Sequence, residues 1–496
     1  VGESESAALS TLGNSNFTGG FLGIVLPIAA ALWIVDEDRR SQSTALLGAI
    51  LGGWILARSR GGWLAGIAGL GVVGGAFYST RWRWARWAAA AVVAGTIAIA
   101  VGSVAIGLAD PEGRFGDQDL LARGRWWQAA GAMWLDSPIA GKGPNTFAVE
   151  GIQHRSLDDA LEREFRFADD PHSVFFSLLA GAGVLGGLGY LGLLAWTASQ
   201  ARLIERAAML TAGFLGAAAA YLVQSLMSID EPTLRVALWT ALAGVGASMS
   251  ALTDQGTRRP QGKPRKKGRP SARPPLKALP VVALLTLVGL GSIAWSIGFI
   301  IQDARVKHAV DLFAAGDPVA GQQEFDKALG FRDDYEYRSR YGNLVGQIAV
   351  RSEGDEKFVT AMERAFSHLE EFPDFGAVRT NAQLAVELAP FVEGYDAVAM
   401  DMYRRALTID PLNPALRFEA AEGLILIGRP QAAATLLEEG LEVLDGYQEF
   451  WGALALARAE GGDRSGALEA IQRALQTNPD DRRALRAQEL LRSDDS

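Results

Sequence analysis

Asp170-Pro171-His172-Ser173, followed after nine residues by Gly183-Val184-Leu185-Gly186-Gly187, places a histidine at the entrance of a long apolar segment. The residues from about Val174 to Trp196 carry no charge, are rich in small side chains, and are long enough to cross a bilayer as a helix. His172 therefore lies where water meets hydrocarbon, a position at which polar side chains are usually functional. Because histidine titrates near neutral pH, we expect His172 to accept or donate a proton at this boundary.

Similar apolar segments, rich in glycine and alanine, recur through the first half of the chain and once after it. Each is close to the length that a bilayer requires, so each predicts a membrane-spanning helix. The segment at 43–57 is short and is separated from the next only by Arg58-Ser59-Arg60-Gly61-Gly62. Together with 173–197, the predicted spans are 17–35, 43–57, 62–79, 87–108, 207–228, 234–252 and 279–301.

The last part of the chain, from about residue 303, is charged and patterned in leucine and alanine. It contains an internal repeat, in which Tyr403, Ala406, Leu407 and Pro411 recur as Ile471, Ala474, Leu475 and Pro479. The offset is 68 residues, twice the roughly 34-residue period of tetratricopeptide-type helical hairpins, which stack into a solenoid with a concave binding face. We therefore predict an all-α protein, in which a polytopic transmembrane helix bundle is followed by a soluble α-solenoid of tetratricopeptide-type repeats.

The orientation of the chain follows from its lysines and arginines, because basic loops remain on the cytoplasmic side. Segment 253–278 is rich in these residues and in proline, so we predict an extended cytoplasmic linker; a nucleic-acid-binding tail is the alternative. Counting spans from this linker places the loop 109–172 outside, and helix 279–301 returns the chain to that external face. The predicted domains are a transmembrane domain at 1–252 with external loop 109–172, the linker at 253–278, a final transmembrane helix at 279–301 and a repeat domain at 302–496.

The composition excludes some kinds of site. The chain has no cysteine, which rules out disulfides and thiolate metal ligands, and its net charge of −9 does not suggest nucleic-acid binding. Asp169 and Asp170 adjoin His172 without a recognisable metal-ligand spacing. Gly141-Lys142-Gly143-Pro144 lacks the Lys-Ser/Thr pair of a phosphate-binding loop. We therefore predict no metal and no cofactor.

Arginines form a second group of candidate residues. Arg60 lies in the short turn between two predicted spans, and Arg123 and Arg125 precede an amphipathic stretch of the external loop. A guanidinium group stays charged at accessible pH and binds phosphate through a planar fork, so these side chains could neutralise a diphosphate at the membrane surface. The alternative is that they contact lipid headgroups or cap helices. Without a metal site, arginine would have to take the place of a divalent cation.

Several motifs combine in this chain. A histidine motif comprises His172, Ser173, Gly183, Gly186 and Gly187, and a loop pattern comprises Arg123, Trp127, Pro138, Gly141 and Gly143. A Ser-Arg-Gly turn is present at Ser59-Arg60-Gly61, and a Gly-Asn-x-Asn helix start at Gly13, Asn14 and Asn16. The combination resembles the O-antigen ligase family of membrane glycosyltransferases, which includes polysaccharide polymerases and protein O-glycosylating enzymes. The resemblance covers about residues 11–250 and implies that several helices precede Val1 in the intact protein.

The resemblance implies transfer of a glycan from an undecaprenyl diphosphate carrier to an acceptor hydroxyl, in cell-surface polysaccharide assembly. Arg60 and Arg123 would hold the diphosphate and stabilise the charge that develops as it leaves. His172 would act as a general base toward the acceptor hydroxyl or orient it. The reaction would take place on the external, periplasmic face of a bacterial cytoplasmic (inner) membrane.

The remaining motif residues are predicted to bind substrate. Arg125 is a second candidate for the family arginine, because it lies beside Arg123. Asp170 would steady the imidazole or cap the following helix. Ser173 and Asn16 belong to the site through their motifs.

The acceptor is left open by the sequence. A ligase requires a lipid A core, a polymerase a second carrier-linked glycan, and a protein O-oligosaccharyltransferase a serine or threonine. The solenoid favours a large or proteinaceous partner. The competing class is a non-catalytic membrane-anchored scaffold that recruits assembly partners through its repeats, and a transporter is a third, weaker interpretation, because the predicted spans contain almost no ionisable residues.

Overall fold

The structure is a computed structural model that describes residues 14–79, 81–109, 118–199, 209–229, 231–257, 279–331, 335–371, 373–444 and 446–493. These residues form helices, turns and loops and contain no strand, which confirms the all-α prediction. The chain divides into two compact units, Val1–Gln261 and Gly262–Ser496. Most of the predicted basic linker, from residue 258 to 278, lies outside the described residues, as does Gly13 of the helix-start motif.

The first unit holds ten α-helices within its described residues. Short helices and turns fill the segment between α5 and α8, which belongs to the predicted external loop. The bounds are α1 Ser15–Val35, α2 Arg40–Leu56, α3 Arg60–Ser79, α4 Ala85–Ala109, α5 Gln118–Asp136, α6 Phe147–Glu150, α7 Leu157–Arg163, α8 Val174–Ser199, α9 Met209–Ser225 and α10 Pro232–Thr257.

Four helices of the described residues are long and apolar enough to cross a membrane: Ser15–Val35, Arg60–Ser79, Ala85–Ile106 and Val174–Thr197. A shorter apolar helix follows at Met209–Ser225. A helix of about 20 apolar residues spans the hydrocarbon core because all its backbone groups are paired internally. The chain is therefore a multi-pass membrane protein.

Helices α1, α3 and α9 pack closely because glycines face one another across their contacts. A Cβ atom on Gly69 of α3 would lie 2.8 Å from the carbonyl oxygen of Gly216 in α9, and one on Gly23 of α1 would lie 2.7 Å from that of Gly62. Small residues at such crossings let the helix backbones approach each other closely. Inside a membrane the hydrophobic effect does not drive helices together, so van der Waals contact of this kind holds them instead. This packing brings the first turns of α1 and α3 to the last turn of α9.

The sequence predicts α8 as one regular helix, but the structure shows that this helix is interrupted at Gly183. That residue has φ 62° and ψ −156°, a conformation open essentially only to glycine. The loop after α5 supplies partners for the backbone at the break: Lys142 N–H donates to Ala180 O, Gly143 N–H to Gly181 O, and Val184 N–H to Pro138 O, at 2.8–2.9 Å. Irregular backbone at membrane depth requires such pairing. The loop pattern and the histidine motif therefore dock directly onto each other.

In the described residues of the second unit, one long helix is followed by a series of shorter ones. Helix α11 runs without interruption from Leu279 to Ala314, so the predicted boundary at residue 302 falls inside a helix. The others are α12 Pro318–Phe331, α13 Tyr335–Arg351, α14 Glu356–Phe366, α15 Phe375–Leu388, α16 Tyr395–Ile409, α17 Pro414–Leu426, α18 Pro430–Val443, α19 Phe450–Glu460, α20 Arg464–Thr477 and α21 Arg482–Ser493.

Three glycines show the period of this region in its backbone. Gly394, Gly428 and Gly462 have φ values of 84°, 75° and 78°, and each is followed within two residues by a helix. They are spaced by 34 residues, since 428 minus 394 and 462 minus 428 are both 34. A left-handed conformation favours glycine, so one such turn per repeat imposes a glycine at the repeat period. The second unit therefore contains a tetratricopeptide-like helical region, as its sequence predicts.

Candidate active site

A cavity of about 420 Å³ lies in the first unit, where α1 and α3 begin and α9 ends. This volume is in the range of small-molecule binding sites. The residues along its wall come from α1, α3, α4, α5, α9 and the segments that precede α3 and α8 or follow α9. They are Asn14, Ser15, Asn16, Phe17, Arg58, Arg60, Gly61, Leu64, Ile99, Ser103, Arg123, His172, Gln224, Met227 and Ser228. The structure thus brings together four of the predicted site residues: His172, Arg123, Arg60 and Asn16.

The ring of His172 is held by the residue two positions before it. Its Nδ1 lies 2.8 Å from the backbone carbonyl oxygen of Asp170. Because a carbonyl only accepts hydrogen bonds, Nδ1 carries the hydrogen and donates, and in the neutral ring the lone pair is on Nε2. The backbone N–H of His172 donates to Asp170 Oδ1 at 2.7 Å, which supports a φ of 56° that is uncommon outside glycine. His172 is thus fixed in one tautomer.

The electrostatics of the site favour a neutral imidazole. Burial lowers the pKa of His172 from its ordinary value of 6.5, and the positive charge of Arg123 lowers it further, against the hydrogen bond to Asp170. Burial also raises the pKa of the Asp170 carboxyl above its usual range, although a hydrogen bond from the Ser177 hydroxyl at 2.7 Å opposes this rise. A neutral His172 with a lone pair on Nε2 can accept a proton at neutral pH.

Three arginines give the cavity its charge. Arg123 is anchored by a hydrogen bond of 2.9 Å from Nη1 to the carbonyl oxygen of Met227, just beyond α9. Arg60 is the first residue of α3, and Arg58, with φ 52°, turns the chain between α2 and α3. The described residues along the wall include these three guanidinium groups and no aspartate or glutamate. The cavity is therefore suited to an anion such as a diphosphate.

The helix-start motif and the Ser-Arg-Gly turn meet at the same cavity. The hydroxyl of Ser59 donates to Asn16 Oδ1 at 3.0 Å and accepts the backbone N–H of Gly62 at 3.1 Å. Asn14 caps α1 by accepting the backbone N–H of Asn16 at 2.8 Å. These bonds join the first turns of α1 and α3. Ser59 contacts the Oδ1 atom of the Asn16 amide and not its Nδ2 donor.

The other predicted site residues lie outside the cavity wall. Arg125 forms an ion pair with Glu162, and its side chain is largely buried. Asp170 holds His172, as described above. Ser173 is buried at 1% exposure directly before α8, and its carbonyl accepts the backbone N–H of Ser177. Arg125, Asp170 and Ser173 thus support the surroundings of the site in this structure.

Trp126 connects His172 to the external loop. The ring centroids of Trp126 and His172 are 4.8 Å apart, and the guanidinium carbon of Arg163 lies 5.0 Å from the Trp126 centroid. Arg163 in turn approaches the buried carboxylate of Asp159 at 3.5 Å. Cation–π contacts and buried ion pairs of this kind hold a loop in one arrangement. The sequence motif includes the neighbouring Trp127, which is fully buried, and does not include Trp126.

Two residues of the cavity wall do not stand out in the sequence motifs. Arg58 lies beside Arg60 in the turn but belongs to none of the motifs. Gln224 lies within a predicted span. A signal for it is present nevertheless, since a polar amide within an apolar helix is costly in a membrane and commonly functional.

No group of three or more histidine, aspartate or glutamate side chains that could hold a metal ion occurs in the part of the chain that the structure describes.

Parts of the chain are similar to known proteins. Residues 44–191 match the profile of a protein family described as O-Antigen ligase. A 167-residue stretch is 29% identical to cellulose synthase operon protein C of Xanthomonas axonopodis pv. citri; it covers 33% of this chain and only 11% of that protein. A thermophilic TPR protein of Thermus thermophilus aligns with 38% of this chain and 98% of its own, at 20% identity and a TM-score of 0.23. This multi-pass membrane protein is therefore similar, over residues 44–191, to the O-Antigen ligase family, and the same chain contains a tetratricopeptide-like helical region.

Proposed function

We propose that this protein transfers a glycan from an undecaprenyl diphosphate carrier to an acceptor hydroxyl. One observation carries the proposal: the imidazole of His172 and the guanidinium groups of Arg60 and Arg123 border a single cavity at the end of the membrane helices. The similarity of residues 44–191 to the O-Antigen ligase family supports the same class of chemistry. A base and a cationic phosphate site are the two elements that glycan transfer from a lipid diphosphate requires.

The reaction is a substitution at the sugar carbon that carries the diphosphate. The acceptor oxygen forms a bond to this carbon as the bond between the carbon and the diphosphate oxygen breaks. His172 Nε2 takes the proton of the acceptor hydroxyl, and the lipid diphosphate leaves with the electron pair. Arg60 and Arg123 stabilise the negative charge on the departing oxygen through charge-assisted hydrogen bonds. The proton and the charge are thus balanced without a metal or a cofactor.

The remaining predicted residues support these groups. Asn16 borders the cavity and offers its Nδ2 donor to substrate oxygens, while Asp170 positions the imidazole through the bonds to its ring and backbone. Arg125 stabilises α5 through Glu162, and Ser173 starts the helix that follows the base. Asp170, Arg125 and Ser173 act on the reaction through their neighbours.

The location and partners of the protein belong to the same proposal. The cavity and the repeat region lie on the external, periplasmic face of a bacterial inner membrane, where carrier-linked glycans are used for cell-surface polysaccharide. The acceptor is a glycan, a lipid A core or a protein. The tetratricopeptide-like region binds a large or proteinaceous partner through its concave face.

The proposal is tested with the intact protein and a purified undecaprenyl diphosphate oligosaccharide, with and without EDTA. We expect transfer that is independent of metal and that falls by about two to four powers of ten in His172→Ala. His154→Ala is the matched control, because His154 is a loop histidine that contacts Asp136 at 3.1 Å and is not part of the cavity wall. Equal transfer by the parent and His172→Ala would refute the proposal and favour the non-catalytic scaffold.

A further inference from the structure

Gln224 places a buried hydrogen-bond acceptor at the cavity. It lies in the last turn of the apolar helix α9, is only 2% exposed, and is part of the cavity wall. Its Nε2 lies 3.4 Å from the carbonyl oxygen of Asn16. Because a carbonyl cannot donate, this contact identifies which amide atom is nitrogen and which is oxygen. The oxygen, Oε1, has no hydrogen-bond partner among the described residues.

The neighbouring helices leave room for this amide. A Cβ atom on Gly20 of α1 would lie 2.8 Å from Gln224 Nε2, and one on Gly61 of α3 would lie 2.9 Å from Oε1. Any larger residue at either position would displace the side chain. Gly61 also borders the cavity, directly after Arg60. The orphan oxygen is therefore held by packing beside the proposed diphosphate site.

The energetic cost of burying this unpaired oxygen favours a role in ligand binding. A buried acceptor without a donor costs about 1–3 kcal/mol, and more where it faces hydrocarbon. The charged side chains of the same wall, Arg58, Arg60 and Arg123, are all donors and suit a phosphate. An acceptor among them suits a different part of the ligand, one that carries a hydroxyl or an N–H group.

We propose that Gln224 Oε1 accepts a hydrogen bond from a hydroxyl or amide N–H of the sugar that is attached to the diphosphate. This inference rests on the proposed function and adds a specificity-determining residue to it. The arginines would bind the diphosphate of any carrier-linked glycan, whereas Gln224 selects the sugar. Sites that hydrogen-bond one substrate group discriminate strongly against analogues that lack it, because their polar atom is left unpaired.

Binding measurements separate this role from catalysis. The probes are polyprenyl diphosphate glucose, its four monodeoxy analogues at C2, C3, C4 and C6, its 2-acetamido analogue, and the sugar-free carrier. In the parent protein we expect one deoxy analogue to bind at least about tenfold more weakly than glucose, the effect of losing one hydrogen bond at a buried acceptor. In Gln224→Met, which keeps the length and removes the acceptor, we expect that ratio to fall below about threefold. The 2-acetamido probe distinguishes an N–H donor from a hydroxyl.

Two further variants control for folding and position. Gln153→Met changes an exposed glutamine of the loop and should keep the parental ratios. Gln224→Leu also removes the acceptor without adding a charge beside the arginines and should show the same loss of discrimination, so it decides the question if the methionine variant does not fold. Unchanged ratios in folded Gln224→Met or folded Gln224→Leu, or a parent that binds all sugars equally, would overturn the inference. A parent that binds no carrier, or transfers glycan independently of His172, would instead overturn the proposed function.

Discussion

Arginine has different surroundings in the two units of this protein. In the repeat region arginines face carboxylates: Arg379 Nε lies 3.0 Å from Glu419 Oε2, and Arg483 and Arg458 pair with Glu422 and Glu438. The cavity of the first unit is bordered by Arg58, Arg60 and Arg123 and, in its described wall, by no acidic side chain. Paired surface charges are neutralised and contribute little each, typically under about 1 kcal/mol. The guanidinium groups of these three arginines instead border a cavity whose described wall suits an anionic ligand.

The largest expected difference between the two units concerns loss of an arginine. We expect Arg123→Gln to lower kcat/KM for glycan transfer by roughly two to three powers of ten, as found for loss of one group that stabilises a leaving charge. The matched change Arg379→Gln, in the repeat region, should leave transfer by the membrane domain within about twofold of the parent while lowering stability by about 1 kcal/mol or less. Steady-state kinetics and thermal unfolding measure both effects. Comparable losses of transfer in the two variants would contradict this distinction.

Glycines with positive φ sharpen the same comparison. Gly183 is pressed against the backbone of Ile139 at the break in α8, so Gly183→Ala would strain φ and also separate the loop from the helix. We expect Gly183→Ala to lower the free energy of unfolding by about 3 kcal/mol, because it strains one residue and weakens backbone hydrogen bonds. We also expect it to abolish activity. Denaturation in detergent measures the loss. A variant with parental stability and activity would show that the docked loop is not needed to hold the site.

Gly428, in the repeat region, is the matched control. Its φ is 75°, but no packing neighbour lies within 4 Å of the position that a Cβ atom would take, so Gly428→Ala adds conformational strain without a collision. We expect a loss of about 1 kcal/mol in the unfolding of the second unit and no effect on transfer. Chemical denaturation followed by circular dichroism measures it. A loss as large as that of Gly183→Ala would contradict the distinction between strain alone and strain with a collision.

The smallest expected effect is a change in pH dependence. Because burial and Arg123 lower the pKa of His172, the acidic limb of kcat/KM should have its midpoint below pH 6.5, with activity lost as pH falls through it. The negative charge of Asp170 raises the pKa of His172, so Asp170→Asn should move the midpoint lower still. Asparagine retains an oxygen that can accept the backbone N–H of His172. A midpoint that moves upward in this variant would contradict the assignment.

Much of the architecture could be predicted from the chain. Among the described residues, each of the eight predicted apolar segments lies largely within a helix, and the 34-residue period appears as three equally spaced left-handed glycines. These features follow from local chemistry: uninterrupted apolar residues require internal backbone pairing in a membrane, and a left-handed turn favours glycine. The break at Gly183 was not predicted, because its pairing partners are contributed by Pro138, Lys142 and Gly143 of a distant loop.

The candidate site, too, was predictable from the sequence only in part. Residue types made His172, Arg60 and Arg123 candidates in the sequence, and the resemblance to the O-antigen ligase family assigned their predicted roles. Their common cavity, the tautomer of His172 and the orphan oxygen of Gln224 depend on distances between segments far apart in sequence. Sequence periodicity predicts on which face of its own helix a residue lies. A hydrogen-bond partner on another helix depends on how the helices pack. The position of Gln224 in an apolar segment marks it in the sequence, whereas its unpaired oxygen at the cavity depends on how α1, α3 and α9 pack around it.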